Sequence, residues 1–124
     1  MSLSVNVEER TDGYYTIHLD GRLDSETYSI CENIVGPLLE TPVAGILFDM
    51  AKLSYISSMG IRVIFKIRKV VETAGGSVMI ANLQPQIAKV IEIANALPKT
   101  RVFASIGEAD RYFDAIQRRE TGRD

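Results

Sequence analysis

Two stretches near the N-terminus alternate apolar and polar residues with the two-residue period of a β-strand that has one covered face. They span residues 3–7 and 15–19, and a turn signal, Thr11-Asp12-Gly13, separates them. We therefore predict an antiparallel pair of strands at the start of the chain. His18, the single histidine, lies on the polar face of the second strand and is interpreted as a solvated residue.

The segment that follows residues 21–24 has helical spacing. Asp24 or Ser25 can cap this helix by accepting hydrogen bonds from its first free backbone N–H groups. Gly36-Pro37 should break or kink it, because proline removes a helical hydrogen bond and clashes with the preceding turn. The predicted apolar stripe of this helix contains Thr27, Ile30, Cys31, Ile34 and Leu38.

A continuously apolar run at residues 46–48, ending at Asp49, is typical of a strand that is covered on both faces. Helical spacing begins at about Ser58 and continues to Thr73. The intervening residues 55–60 are predicted to form a loop. The apolar stripe predicted for the helix contains Val63, Ile64, Ile67, Val70 and Val71.

The far side of this central helix is basic and should face water; it carries Arg62, Lys66 and Lys69. Ile61 and Phe65 lie off the core stripe, on the same flank as Ser58. Either these two side chains pack against a neighbouring helix, or they form an apolar contact patch beside the serine. We expect both to be at least partly accessible to solvent.

Two hydroxyl groups, those of Ser57 and Ser58, stand at the predicted start of the same helix. Free backbone N–H groups and the helix dipole favour a negative charge at such a place. The simplest interpretation is that one serine caps the helix. The alternative is that one of them receives a phosphate, which a helix N-terminus can accommodate. The spacing alone leaves both interpretations open.

The second half of the chain continues the alternation of elements. Gly75-Gly76 stops the central helix, residues 78–80 form a short buried strand, and Pro85 fits the first turn of another helix. Residues 101–103 predict a short edge strand. The pattern Ser105-x-x-Glu108 is a capping box that opens a last helix.

This order of elements indicates an α/β fold, a mixed β-sheet of about five strands with about four α-helices packed on it. Strand, helix, strand, helix and strand in succession predict parallel crossover units after the antiparallel pair. The sequence contains no linker, internal repeat or low-complexity tract. We therefore expect residues 1–124 to form a single domain, with a frayed tail at residues 118–124.

Charge and composition narrow the classes of function. The chain has 14 Lys and Arg against 16 Asp and Glu, a formal net charge of -2. It therefore lacks the excess of positive charge that is typical of proteins that bind nucleic acid. Its one cysteine excludes an internal disulfide and fits a reducing compartment. No apolar run approaches the roughly 20 residues of a membrane helix, and there is no signal-peptide pattern. We expect a cytoplasmic protein that binds neither nucleic acid nor membrane directly.

The sequence offers little catalytic chemistry. With one His and one Cys, the sequence lacks the cluster of ligands that a metal site needs. It also contains neither a Gly-x-Ser-x-Gly nucleophile elbow nor a phosphate-binding P-loop. The sequence does not exclude a catalytic pair of Ser58 and His18, but it indicates no third group that would orient the histidine. We predict a non-enzyme without metal or cofactor.

Residues 48–50 and 55–61 read Phe-Asp-Met and Tyr-Ile-Ser-Ser-Met-Gly-Ile, and they resemble the signature of STAS domains, the anti-sigma factor antagonist family. In that family a strand ending in Asp precedes a loop of the form Asp-Ser-x-Gly-Leu, whose serine is phosphorylated by a partner kinase. Matching on Gly60 implies that Ser58 is the acceptor. Ser57 stands where many members carry Asp, and it is the reserve acceptor.

The Gly-x-Leu-Asp turn at residues 21–24 also resembles the family, in which it lies near the phosphorylated loop. The resemblance implies a partner surface made of Asp24, Ser57, Ser58, Met59, Gly60, Ile61, Arg62 and Phe65. It implies an anti-sigma factor antagonist whose unphosphorylated form binds a kinase-type anti-sigma factor. The alternatives are a STAS scaffold or sensory subunit of a larger regulatory or transport assembly, and a STAS domain that binds a nucleotide or another ligand.

Overall fold

Four strands and four α-helices make up the part of the chain that the structure, a computed structural model, describes: residues 2–96 and 105–122. In chain order the elements are β1 (Leu3–Thr11), β2 (Tyr14–Leu23), α1 (Tyr28–Val35), a 3-10 helix (Gly36–Glu40), β3 (Gly45–Ile56), α2 (Ser58–Thr73), β4 (Ser77–Ala81), α3 (Pro85–Ala96) and α4 (Ile106–Thr121). The predicted edge strand at residues 101–103 lies outside the described residues.

The strands form one sheet in the order β1-β2-β3-β4. β1 and β2 are antiparallel, whereas β2 is parallel to β3 and β3 is parallel to β4, so the predicted mixed sheet is confirmed. The antiparallel pair is joined by a tight turn in which Gly13 adopts a φ of +79°. The carbonyl oxygen of Gly13 accepts hydrogen bonds from the N–H groups of Ala44 and Gly45 at 2.7 and 3.1 Å. These bonds align the start of β3 with the turn.

The helices pack on the sheet through an apolar core. Its fully enclosed side chains come mainly from the strands and from α2, and they include Ile17, Leu19, Leu23, Phe48, Met50, Leu53, Ile56, Val63 and Ile64. Toward the amino-terminal ends of β2, β3 and β4, the exposed side chains of Tyr14 and Met79 line a shallow depression together with Leu47. The sheet therefore keeps part of one surface open to solvent.

The packing of α1 differs from the predicted stripe. The buried line consists of Thr27, Cys31 and Val35. Ile30 and Ile34, which were expected to be buried, are exposed. The helix has eight residues and therefore touches the core along one narrow i, i+4, i+8 line. The predicted break is confirmed, because Pro37 lies in the 3-10 turn that replaces the helix after Val35.

The last helix extends further than the sequence analysis predicts. The side chain of Ser105 accepts a hydrogen bond from the N–H of Glu108 at 3.1 Å, so the predicted cap position is confirmed. At the other end Gly122 adopts a left-handed φ of +77°, and its N–H donates to carbonyl oxygens of the last turn. Residues 118–121, part of the tail that the sequence analysis predicts to be frayed, belong to α4.

Candidate functional site

β3 and α2 meet almost without a connection, since the strand ends at Ile56 and the helix begins at Ser58. The segment predicted as a loop is the end of the strand and the first turn of the helix. The helix starts at the residue that the sequence analysis indicated. One residue, Ser57, forms the whole junction.

Ser57 is the N-cap of α2. Its backbone is extended, and its hydroxyl oxygen accepts a hydrogen bond from the N–H of Gly60 at 3.3 Å. Its own N–H donates to the carbonyl oxygen of Leu23 at 2.9 Å. Only 3% of its surface is exposed. Ser57 therefore has a structural role at the junction between strand and helix.

Ser58 occupies the first position of α2 and is partly exposed. Its hydroxyl group donates a hydrogen bond to Oδ1 of Asp110 at 2.6 Å. The same carboxylate oxygen accepts a second bond from the N–H of Ser58 at 3.0 Å. Asp110 belongs to α4 and is 52 residues away in sequence. No spacing or motif in the sequence indicated this contact.

Gly60 lies where α2 comes closest to the end of β2. A Cβ atom at this position would stand 2.6 Å from the carbonyl oxygen of Leu23 and 2.8 Å from Cγ1 of Ile56. Both neighbours belong to strand ends that pair in parallel register. The absence of a side chain at Gly60 therefore allows the start of the helix to pack against the turn at residues 21–24.

The turn at residues 21–24 contributes a polar cluster beside the serines. The Arg22 guanidinium lies 4.0 Å from the centre of the Tyr55 ring, and its Nε lies 3.5 Å from Oδ2 of Asp24. Burial raises the pKa of Tyr55 to about 12, and the nearby carboxylate of Asp114 acts in the same direction. The Asp24 carboxylate also accepts the backbone N–H groups of Glu26 and Thr27 in the turn that leads into α1. The N-cap of α1 is Thr27, without a side-chain capping bond, so the predicted cap at Asp24 or Ser25 is wrong.

The outer flank of α2 continues from Ser58. Arg62 is exposed and Phe65 is partly exposed, and at i+4 and i+7 they follow Ser58 along one face. Phe65 is thus accessible, as predicted. Ile61 is only 6% exposed and belongs to the core, so its predicted accessibility is wrong. Val70 was placed on the core stripe and is 42% exposed, so that assignment is wrong as well.

A sequence model of the STAS domain family matches residues 5–109. The chain belongs to the STAS domain family. The match includes both serines, the turn at residues 21–24 and the first turn of α4 up to Ala109.

Relatives of this STAS domain are similar over most of its length. A putative anti-sigma factor antagonist, BtrV of Bordetella bronchiseptica, is 26% identical over 89 residues, which are 72% of this chain and 77% of the relative. The unphosphorylated anti-sigma factor antagonist SpoIIAA superposes with a TM-score of 0.68 at 20% identity, over 74% of this chain and 81% of its own. The phosphorylated form of SpoIIAA, from Bacillus, gives 0.64 at 21% identity, over 73% and 83%.

A further structural neighbour covers more of the chain. An anti-sigma factor antagonist from Mycobacterium paratuberculosis superposes with a TM-score of 0.65 at 15% identity, over 90% of this chain and 94% of its own. At such identities these superpositions show a shared fold, which confirms the STAS-like α/β architecture predicted from the sequence.

His18 is part of a charged cluster on the sheet of this STAS domain. Its Nδ1 lies 2.8 Å from Oδ2 of Asp49, and its Nε2 lies 2.7 Å from Oε1 of Glu8. Hydrogen bonds to Glu8 and then to Asp49 raise the pKa of His18 above its usual value. His18 is partly exposed on β2, as interpreted from the sequence, but its place in this charged cluster was not predicted. The open pairing with Ser58 is contradicted, because the two side chains have different partners.

Within residues 2–96 and 105–122, no group of three or more His, Cys, Asp and Glu side chains is arranged to hold a metal ion. In the same part of the chain, none of the helices combines the length and the apolar character that crossing a membrane requires.

Proposed function

We propose that this STAS domain is a cytoplasmic anti-sigma factor antagonist that binds a kinase-type anti-sigma factor and is switched off by phosphorylation of Ser58. The observation that carries the proposal is the contrast between the two serines at the start of α2. Ser58 is partly exposed, and its oxygen is a hydrogen-bond donor rather than a cap. The names of the relatives, which are anti-sigma factor antagonists, support the same function.

Ser57 is the weaker acceptor on structural grounds. Its hydroxyl is enclosed and accepts the N–H of Gly60, so phosphorylation would require both exposure of the group and loss of the cap. Removal of a serine cap typically costs about 1 kcal/mol of stability. A kinase can reach Ser58 without opening this junction.

The modification is a phosphoryl transfer. The Ser58 oxygen forms a bond to the γ-phosphorus of ATP, the bond from that phosphorus to ADP breaks, and the hydroxyl proton passes to a general base. The product carries about -1.5 to -2 charge in place of a neutral hydroxyl. The N–H of Ser58, which already donates to a carboxylate, and the helix dipole favour an anion at this position.

The partner surface follows from the accessible residues around Ser58. Asp24, Met59, Arg62 and Phe65 are exposed or partly exposed, and they surround the start of α2. Ser57, Gly60 and Ile61 are buried directly beneath this surface. A phosphate in the middle of this surface would weaken binding through like-charge repulsion and the cost of removing it from water.

The test is mass spectrometry of the protein after incubation with the kinase that co-purifies with it and ATP. We expect one phosphate, on Ser58, and its complete loss in Ser58→Ala. The matched control is Ser57→Ala, which should lose some stability and still be phosphorylated at position 58. Ser58→Ala should bind the partner constitutively, and Ser58→Asp should bind it poorly.

Two results would count against this proposal in different ways. Phosphate at Ser57 in the Ser58→Ala variant would preserve the switch and move the acceptor. If neither serine is phosphorylated by any kinase that co-purifies, the switch is wrong, and the role of a STAS scaffold or sensory subunit becomes the better explanation.

A further inference from the structure

We propose that Asp110 of α4 senses the state of Ser58, so that phosphorylation expels this carboxylate and loosens the first half of α4. The inference concerns the regulation of the acceptor site and rests on the proposed function only in taking Ser58 as the residue that is modified. It adds α4 to the surfaces that differ between the two forms of the protein.

The geometry places Asp110 where a phosphate would compete with it. One oxygen of its carboxylate accepts both the hydroxyl and the N–H of Ser58, at 2.6 and 3.0 Å. Hydrogen bonds with an ionised partner are short and about twice as strong as neutral ones. In the unmodified protein, Asp110 therefore places a negative charge at the N-terminus of α2, where such a charge is favourable.

Phosphorylation removes the reason for this contact. The modified oxygen has no hydrogen to donate, and the phosphate competes with Asp110 for the N–H of Ser58. Two negative groups would then face each other at the distance of a hydrogen bond. Arg62 is exposed one turn further along the same face of α2 and offers the phosphate a positive charge. We expect the carboxylate to leave.

A second contact limits how far α4 can respond. The Gln117 side chain is 1% exposed and binds the backbone of Ile56 on both sides. Its Oε1 accepts the Ile56 N–H at 3.0 Å, and its Nε2 donates to the Ile56 carbonyl at 2.7 Å. Gln117 lies about 10 Å along the helix axis from Asp110. These two hydrogen bonds hold the second half of α4 on β3 in the unmodified and in the phosphorylated protein. The loosening is therefore confined to the first half of α4.

The experiment uses the full chain with phosphoserine incorporated directly at position 58 during translation, so that no kinase is needed. Hydrogen exchange is followed by mass spectrometry on peptides from α2 and α4. We expect the amides of the first half of α4 to exchange about tenfold faster than in the unmodified protein, the size expected for loss of a hydrogen bond to a charged group. The amides around Gln117 and those of α2 should be unchanged.

The decisive variant is Asp110→Asn, which keeps the shape and removes the charge. Its amide can donate to the phosphate, so phosphoserine at position 58 should no longer accelerate exchange in α4. The matched control is Glu120→Gln, an exposed change on the same helix about 15 Å further along, which should leave the acceleration intact.

Three outcomes would overturn the inference: unchanged exchange in the phosphoserine protein, equal acceleration with Asp110→Asn, or faster exchange throughout the chain. Failure of the proposed function has a different signature. If no kinase modifies Ser58, or if the phosphoserine protein binds the anti-sigma factor as well as the unmodified one, the proposed switch fails even where α4 responds as expected.

Discussion

At the scale of single residues, the proposed acceptor site depends on the close contact between Gly60 and the ends of two strands. Gly60→Ala would place a methyl group 2.6 Å from the Leu23 carbonyl oxygen, which belongs to the backbone and cannot rotate away. We expect a loss of about 1–3 kcal/mol in the free energy of unfolding, the usual cost of overpacking. Urea denaturation of the two proteins measures it.

The control for this substitution is Gly107→Ala. Gly107 lies in the first turn of α4, and a Cβ atom built there would make only ordinary contacts, 3.5 Å from Nη1 of Arg111 and 3.7 Å from Oγ of Ser105. Replacement of such a glycine should be neutral or stabilising by up to about 1 kcal/mol. A Gly60→Ala protein as stable as the wild type would show that the junction between β3 and α2 can relax, and that the contact does not fix the position of Ser58.

His18 should make stability depend on pH in a predictable direction. Hydrogen bonds to Glu8 and Asp49 raise the pKa of His18 in the folded protein. The stability that His18 contributes is therefore complete below its pKa in the unfolded chain, about 6.5, and is lost as pH rises through its pKa in the folded protein. The two carboxylates have lowered pKa values. The main causes are the bond with His18 for Glu8 and the bond from Asn82 for Asp49. Their contributions are lost as pH falls through these lowered values.

The cluster should therefore stabilise the fold most between about pH 4.5 and 6.5. Thermal unfolding of the wild type should show a decrease in Tm above that window, and His18→Gln should not show it. NMR titration can measure the raised pKa without ambiguity, because the chain has only one histidine. Glu8→Gln should reduce the rise in pKa and leave a smaller one due to Asp49. A pKa at or below about 6.5 in the wild type would contradict the geometry.

At the scale of elements, the side chain of Gln117 binds α4 to the end of β3 through two hydrogen bonds with Ile56. Gln117→Leu should remove both hydrogen bonds to Ile56 and leave a buried N–H and a buried carbonyl without partners. Each such group costs about 1–3 kcal/mol, so we expect a clear loss of stability in urea denaturation. Arg119→Leu, two residues further on at an exposed position, is the control and should change stability little.

Elements whose faces are set by local periodicity could be predicted from the sequence, and contacts between distant elements could not. The start of α2 at Ser58 and the cap at Ser105 follow from short patterns, because the residues that form them are three or four positions apart. The burial of Ile61 depends on what lies beside α2, so the helical period alone assigned it wrongly. Nothing local indicates that Asp110 reaches Ser58 or that Gln117 pairs with Ile56.

At the scale of the whole molecule, the proposed acceptor site lies where the carboxyl ends of two parallel strands meet. β2 and β3 run in the same direction, so Leu23 and Ile56 end side by side, and the turn at residues 21–24 comes next to the start of α2. This proximity follows from the parallel topology, and the sequence analysis anticipated it through the family resemblance. The open depression around Tyr14 and Met79 lies at the opposite ends of the strands. The partner surface and this depression are thus separate regions of the molecule.

The partner surface can be tested with substitutions along α2 alone. Phe65→Ala should weaken binding to the anti-sigma factor by about tenfold or more, as expected for an aromatic residue that anchors an interface. Phe65 is partly exposed, so its truncation should cost less stability than the 3–5 kcal/mol typical of a buried phenylalanine. Val70→Ala is the matched control: an exposed apolar residue of the same helix, about 18 Å from Ser58 along the axis, which should leave affinity unchanged.

Affinity and stability must be measured on the same variants, by titration calorimetry and urea denaturation, because Ile61 lies beside Phe65 in a different environment. Ile61→Ala should destabilise the fold by about 2–5 kcal/mol, since it leaves a cavity in the core. Any loss of affinity in Ile61→Ala should be accounted for by the smaller fraction of folded protein. If Phe65→Ala unfolds the protein as readily as Ile61→Ala, Phe65 is a core residue. If Val70→Ala weakens binding as much as Phe65→Ala, the partner contacts the far end of α2, and the surface assigned around Ser58 is wrong.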